Sequence, residues 1–381
     1  MMQLSISRLL FSAAALFAHT CLAQTTAQVA PQIAAASYVL IDLTTGSTLA
    51  TSDPTLAREP ASLTKLMTGY VVFQALKQKN IALTQNVPVS PKAWKAEGSR
   101  MFIEPNKPVT VEELLRGLII QSGNDAAIAL AEVVSGTEEA FVTRMNGEAK
   151  RLGMTQTAFA NSAGLPAPNH TTTAKDMAIL AAALIRDFPE YYAIYKEKTF
   201  TYNKITQENR NRLLFVDASV DGVKTGHTQS AGYNLIASAQ RNGRRLLSVV
   251  MGAASEGARA TESKKLLEYG YAAFDAVAIK RKGDIISTPV VWKGELDTVN
   301  LSIADDWLIS LPRGSTPPSI EAKLSVAQLV APLAVGARVG TVTAKSGNVV
   351  IGERELIVAQ AVAEGSFFKR LWHSLKMRWS K

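Results

Sequence analysis

The order of apolar and polar positions divides the chain into blocks of different period. Between 37 and 50, Tyr-Val-Leu-Ile-Asp-Leu, a Thr-Thr-Gly break and Ser-Thr-Leu-Ala read as strand, turn and strand. A helical period takes over at about 63–79, 111–134, 138–152 and 173–187, with Gly123 and Pro166 among the residues that interrupt it. Strand patterns return at 233–240 and 246–252, joined through Asn242-Gly243, a dipeptide suited to a tight hairpin turn. A charged helical stretch follows from 259 to about 274. Strand pair, helical block, strand pair and helix predict an α+β domain whose two ends share one antiparallel sheet.

After about 275 the texture changes. Pro289-Val-Val-Trp292, Trp307-Leu-Ile-Ser-Leu-Pro312, Val339-Gly-Thr-Val-Thr343 and Glu355-Leu-Ile-Val-Ala359 alternate between Gly and Pro turns, which predicts a small all-β domain. The final stretch differs again. Phe368, Leu371, Trp372, Leu375 and Trp379 recur at helical spacing with five basic residues between and around them, the pattern of an amphipathic helix. The expected organisation is a signal segment at 1–23, the α+β domain at 24–275, the all-β domain at 276–362 and the amphipathic helix at 363–381.

The signal reading rests on the first residues. Arg8 is the sole early charge, an apolar run follows it, and small residues close the segment near Ala23. The run is too short to span a bilayer, so a cleaved secretory signal and an exported protein are expected. The chain's one cysteine, Cys21, lies inside that segment, so the mature protein carries no disulfide, thiol nucleophile or cysteine metal ligand. A lipid on Cys21 is the competing reading, and His19-Thr20 makes a poor junction for it.

Charge narrows the partners. The 381 residues carry a net charge of +9, but Arg8 leaves with the signal and five basic residues with no acid follow Glu364. Most of the excess is therefore terminal and the body is nearly balanced, which argues against a nucleic-acid partner. With 47% hydrophobic and 19% charged residues the chain is globular, not disordered.

Candidate chemistry begins at Pro60-Ala-Ser-Leu-Thr-Lys-Leu-Met-Thr68. Residues three apart share a helix face, so Ser62 and Lys65 stack one turn from each other. A serine hydroxyl attacks only when something takes its proton, and a neutral lysine can do so. Lysine is protonated in water at pH 7, so burial and a second cation must lower its pKa, and Lys224 is the candidate cation. The pattern alone is weak, since Ser366-Phe-Phe-Lys369 repeats it, Ser346-Gly-Asn348 repeats Ser122-Gly-Asn124, and Lys345-Ser-Gly347 echoes Lys224-Thr-Gly226. Order and context decide: one set runs as Ser-x-x-Lys at a helix start, Ser-x-Asn in the helical block and Lys-Thr-Gly before a strand.

These three elements, with Gln121-Ser-Gly-Asn-Asp-Ala126 and Val220-Asp-Gly-Val-Lys-Thr-Gly-His-Thr228 around them, resemble the penicillin-binding proteins and serine β-lactamases. The fuller strings look like the low-molecular-mass D-alanyl-D-alanine carboxypeptidases of the penicillin-binding protein 5/6 kind, over nearly the whole mature chain. The resemblance implies a β-lactamase/transpeptidase-like domain with Ser62 as nucleophile and Lys65 as base. Ser122 would relay the proton to the leaving amine, and Asn124 would orient the substrate amide. Lys224, Thr225 and Gly226 would face the terminal carboxylate, His227 would lend a backbone N–H to the oxyanion, and Arg259 would bind the carboxylate, with Arg241, Arg244 and Arg245 as nearby competitors.

The implied reaction removes the last D-alanine from peptidoglycan pentapeptides, with β-lactam antibiotics as covalent inhibitors and no cofactor or metal. A serine β-lactamase and a DD-endopeptidase of the same fold are the alternatives, and a scaffold that has lost catalysis is disfavoured by the intact motifs. The Glu-x-x-Leu-Asn string of class A β-lactamases is missing, and Asn161-Ser-Ala-Gly-Leu-Pro166 resembles the carboxypeptidase loop, departing from it at Ala163. His170 and His373 read as structural or solvated. With three histidines left after the signal, no His-Glu-x-x-His and no Gly-x-Ser-x-Gly, a zinc peptidase and a hydrolase elbow have no support. The expected location is the periplasmic face of the inner membrane, with the C-terminal helix lying on that surface.

Overall fold

The computed structural model describes residues 30–379, so the expected signal segment lies outside the described residues. Strands β1 (Ser37–Asp42), β2 (Ser47–Ser52), β3 (Val220–Thr228), β4 (Gly232–Arg241) and β5 (Arg244–Ala253) form one antiparallel sheet in the order β2-β1-β5-β4-β3. The two ends of the α+β domain thus share a sheet, through β1 and β5 with Leu40 opposite Ser248. Asn242 and Gly243 turn the β4–β5 hairpin at φ of 50° and 80°, the left-handed backbone that such a turn requires.

Five helices cover one face: α1 (Lys65–Lys77), α2 (Val111–Ile120), α3 (Asn124–Ser135), α4 (Glu138–Leu152) and α5 (Ala174–Asp187). A sixth, α6 (Glu256–Ala273), covers the other. Successive strand residues point to opposite faces. Val39, Leu247 and Val249 accordingly join the helical core, while Leu40, Leu246 and Val250 meet Leu266 and Leu267 of α6. A sheet buried on both sides explains the nearly continuous apolar runs of β4 and β5.

Helix α1 is buried without interruption from Lys65 to Phe73, the environment expected of a helix apolar nearly all round. A 3-10 turn, Ala61–Thr64, leads into it. The helical pattern at 111–134 is two helices. Ser122 adopts a left-handed φ of 61° and Gly123 runs extended, so the break turns the serine out of the helix and into a cleft.

Strand Phe274–Lys280 leaves α6 directly and pairs with Trp307–Pro312. A four-stranded sheet of Leu301–Ser302, Val349–Val358, Arg338–Ser346 and Ser319–Leu324 completes the all-β domain, whose core surrounds the buried Trp307. The last helix, α7 (Phe367–Trp379), is docked on that domain by polar groups. Lys369 pairs with Asp297 at 2.8 Å, and the Lys293 backbone N–H donates to His373 Nδ1 at 2.8 Å. Phe367, Phe368, Leu371, Trp372 and Leu375 stay exposed. Among the described residues no helix is long and apolar enough to cross a membrane.

Candidate active site

The cleft lies where the 3-10 turn before α1 meets the edge strand β3. Two glycines permit that approach. A side chain at Gly226 would begin 3.1 Å from the Pro60 carbonyl oxygen, and one at Gly164, where φ is 86°, would begin 1.9 Å from that of Ala61. The turn carrying Ser62 is thus clamped between β3 and the 161–165 loop. A cavity of about 340 Å³ opens there, lined by Ser62, Ser122, Thr225, Gly226, His227, Tyr233 and Arg259, together with Ser99, Arg210 and Glu256.

In a 3-10 turn, residues three apart eclipse each other. Lys65 Nζ consequently sits 3.1 Å from Ser62 Oγ, and also 2.7 Å from Asn124 Oδ1 and 2.5 Å from the Ala163 carbonyl oxygen. Burial lowers the Lys65 pKa to about 7, and the Arg210 guanidinium adds to the effect. Arg210 thus takes the part expected of Lys224. Burial holds Lys224 itself well below the usual lysine range, with Lys65, Arg210 and Arg259 reinforcing it. The pKa of Lys65 sets an expected pH profile: acylation needs the neutral amine, so kcat/KM should rise about tenfold per pH unit on the acid side and level off above about 7. Acylation rates between pH 5 and 9 check this, and a flat profile would contradict it.

Ser122 faces Ser62 from the helical side of the cleft and lies 2.9 Å from Lys224 Nζ, which also donates to the Thr225 carbonyl at 3.1 Å. Asn124 spends its amide nitrogen on the Glu97 carbonyl at 2.6 Å and its oxygen on Lys65. It therefore grips the lysine within this structure. The His227 ring stacks on Tyr233 at 3.9 Å with Nδ1 3.1 Å from the Gly232 carbonyl, which holds the imidazole to one side. Arg259 is buried, with Nη1 donating to the Gly226 carbonyl at 3.4 Å and the guanidinium 5.7 Å from the Tyr233 ring centre.

Its three competitors are occupied elsewhere. Arg241 pairs with Asp217 and Glu268, Arg244 with Asp42, and Arg245 with Asp221, all within 2.7–2.9 Å, and none lines the cleft. Ser99, Arg210, Tyr233 and Glu256 are the lining residues that the motifs did not reveal. Arg210 lies within Asn209-Arg-Asn-Arg212, a basic cluster just ahead of β3, and that proximity was the one signal available. His170 is buried, 2.9 Å from Thr64 Oγ1, and burial depresses its pKa to about 4, so it is a neutral structural group. Among the described residues no three His, Cys, Asp or Glu side chains are grouped to hold a metal.

A serine hydroxyl 3.1 Å from a buried lysine amine, set against the edge of an antiparallel sheet, is the arrangement of the active-site-serine enzymes of the penicillin-binding class. A family model described as D-alanyl-D-alanine carboxypeptidase matches residues 23–255, and one for the C-terminal domain of penicillin-binding protein 5 matches 274–364. The chain belongs to the D-alanyl-D-alanine carboxypeptidase family of penicillin-binding proteins. It is 45% identical to D-alanyl-D-alanine carboxypeptidase DacC of Escherichia coli (strain K12), covering 95% of this chain and 93% of that one. With DacA of Haemophilus influenzae the identity is 44%, over 90% and 88% of the two chains. A crystal structure of penicillin binding protein 5 from Haemophilus influenzae superposes with a TM-score of 0.83 at 44% identity, covering 88% of this chain and 99% of that one.

Proposed function

We propose that this protein removes the terminal D-alanine from peptidoglycan pentapeptides by way of an acyl-enzyme at Ser62. The observation that carries the reading is the buried Lys65 amine, poised near pH 7 and 3.1 Å from Ser62 Oγ. Neutral Lys65 takes the hydroxyl proton as Oγ attacks the carbonyl of the penultimate D-alanine. The backbone N–H groups of Ser62 and His227 face the developing oxyanion, where fixed dipoles stabilise charge without reorganising. Ser122, backed by Lys224, relays that proton from Lys65 to the amine of the departing D-alanine. Thr225 and Arg259 receive its carboxylate, and water then hydrolyses the ester to regenerate Ser62. A β-lactam presents a strained amide to the same hydroxyl and stops at the acyl-enzyme.

Mass spectrometry of a pentapeptide muropeptide incubated with the purified protein tests the reaction. Loss of one alanine is expected, and a C-terminally amidated pentapeptide should be a poor substrate because Arg259 is left without its carboxylate partner. Equal cleavage of the amide would favour an endopeptidase.

The reading extends to location: the protein is exported and held on the periplasmic face of the inner membrane by α7. Its support is the exposed row of Phe368, Leu371, Trp372 and Leu375 among basic residues, on a helix whose polar side is already used against the all-β domain. Deleting residues 365–381 should release a soluble enzyme with unchanged turnover on small substrates. Binding of the full chain to anionic vesicles should weaken with added salt, since part of the attraction is charge. A truncated protein that still sedimented with membranes would move the anchor elsewhere.

A further inference from the structure

A neutral amine has two N–H bonds and one lone pair. In the cleft, Lys65 Nζ has three oxygen neighbours: Asn124 Oδ1, the Ala163 carbonyl and Ser62 Oγ. The first two are pure acceptors and take the two N–H bonds, which leaves the lone pair for the Ser62 proton. The direction of that lone pair therefore depends on where the Ala163 carbonyl stands. Ala163 belongs to a loop with no helix or strand of its own, so side chains must hold it.

Two groups hold it: the Asn161 side chain, whose Oδ1 accepts the backbone N–H groups of Ala163, Gly164 and Leu165 at 3.2, 2.7 and 3.0 Å, and a carboxylate buried outside the cleft. Glu138, the first residue of α4, accepts both the backbone N–H of Ser162 at 2.8 Å and its hydroxyl at 2.6 Å on one oxygen. Its other oxygen accepts from Lys92 Nζ at 2.9 Å, and Lys92 also reaches Glu139 at 3.1 Å. The Ser162 carbonyl in turn accepts from the hydroxyl of Thr68, one turn beyond Lys65 on α1, at 2.6 Å. Glu138, Ser162 and Thr68 are all buried. A carboxylate in such a place is costly unless its lone pairs are occupied, so its bonds to Ser162 are strongly held. Ser162, the residue before Ala163, is thereby tied to α4 through its N–H and hydroxyl and to the lysine's own helix through its carbonyl.

We infer that Glu138 is a positioning residue for this enzyme: by gripping Ser162 it aims the Ala163 carbonyl, and through it the lone pair of Lys65, at Ser62. The inference rests on the reading of Lys65 as the base. It assigns a rate effect to a side chain that touches neither substrate nor nucleophile.

The test measures covalent acylation by a chromogenic penicillin in stopped flow, separating the binding constant of the first complex from the acylation rate constant. Glu138→Ala should lower the rate constant by about 10- to 100-fold, the scale of a displacement near 1 Å, with the binding constant within about twofold. Glu138→Gln keeps an oxygen acceptor for Ser162 and should recover most of the rate. Lys92→Ala removes the ion pair but not the Ser162 bonds and should stay within about twofold of the parent. Should Glu138→Ala fail to fold, Ser162→Ala removes one of the two bonds and should still slow acylation several-fold. Parental acylation by a folded Glu138→Ala or Ser162→Ala protein, or an equal loss in Lys92→Ala, overturns the inference. Lys65→Arg separates the two readings: if it acylates normally the base assignment falls, whereas an inert Lys65→Arg beside a fully active Glu138→Ala sinks the positioning role alone.

Discussion

Ser62→Ala should lose covalent labelling by penicillin completely while keeping its fold. The serine is half-buried at the turn, and its hydroxyl contacts Lys65 at 3.1 Å, so removing it costs the fold about 0.5 kcal/mol or less. Ser122, on the opposite wall of the cleft, lies 2.9 Å from Lys224 Nζ, and its hydroxyl is another serine oxygen that the mapping must exclude. Peptide mapping of the labelled parent should place the adduct on Ser62, and labelling that survived the substitution would remove the assignment. The adduct should also persist. Glu138, the carboxylate that reaches the 161–165 loop, is occupied by Ser162 and Lys92 and is not free to activate water. Rapid steady-state turnover of penicillin would make a β-lactamase the better reading.

Lys65→Arg should fold and fail to acylate. Guanidinium stays protonated at any usable pH, so it can donate to Asn124 and Ala163 but cannot take the Ser62 proton. General-base catalysis contributes about 10²–10⁴-fold, and a loss of at least that size is expected in the acylation rate constant. A melting curve and circular dichroism spectrum near those of the parent would show that the loss is chemical. Acylation within about tenfold of the parent would mean that another group takes the proton.

Much of this was legible before any coordinates. Helical period placed α4 and α5 nearly to the residue, because amphipathic helices on one face of a sheet declare their buried side every third or fourth position. The apolar runs of β4 and β5 and the Asn242-Gly243 turn between them marked their hairpin, since a two-residue turn and its register are local properties. The pairing of β1 with β5 followed from α+β logic. Among several repeats, the order of Ser62-x-x-Lys65, Ser122-x-Asn124 and Lys224-Thr-Gly226 singled out copies that the fold brings together: Ser62, Ser122 and Thr225 line one cavity with Lys65 and Lys224 behind them.

What the sequence by itself determined was therefore local: which segments are helices or strands, and which side chains are candidates for chemistry. What only the tertiary structure decided was what surrounds those side chains. Ser62 lies in a 3-10 turn that ends just before Lys65, with β3 and Gly164 close against it on two sides, and no periodicity records those contacts. Arg259 rather than Arg241, Arg244 or Arg245 lines the cleft because those three sit at the turn end of the β4–β5 hairpin, a strand's length from Tyr233, where acids pair with them. Arg210 and Glu138 are 145 and 73 positions from Lys65 by their numbering, yet one helps to neutralise it and the other holds the loop beside it. A pKa depends on burial and on charges a few ångströms away, and those distances are set by chain segments far apart in sequence.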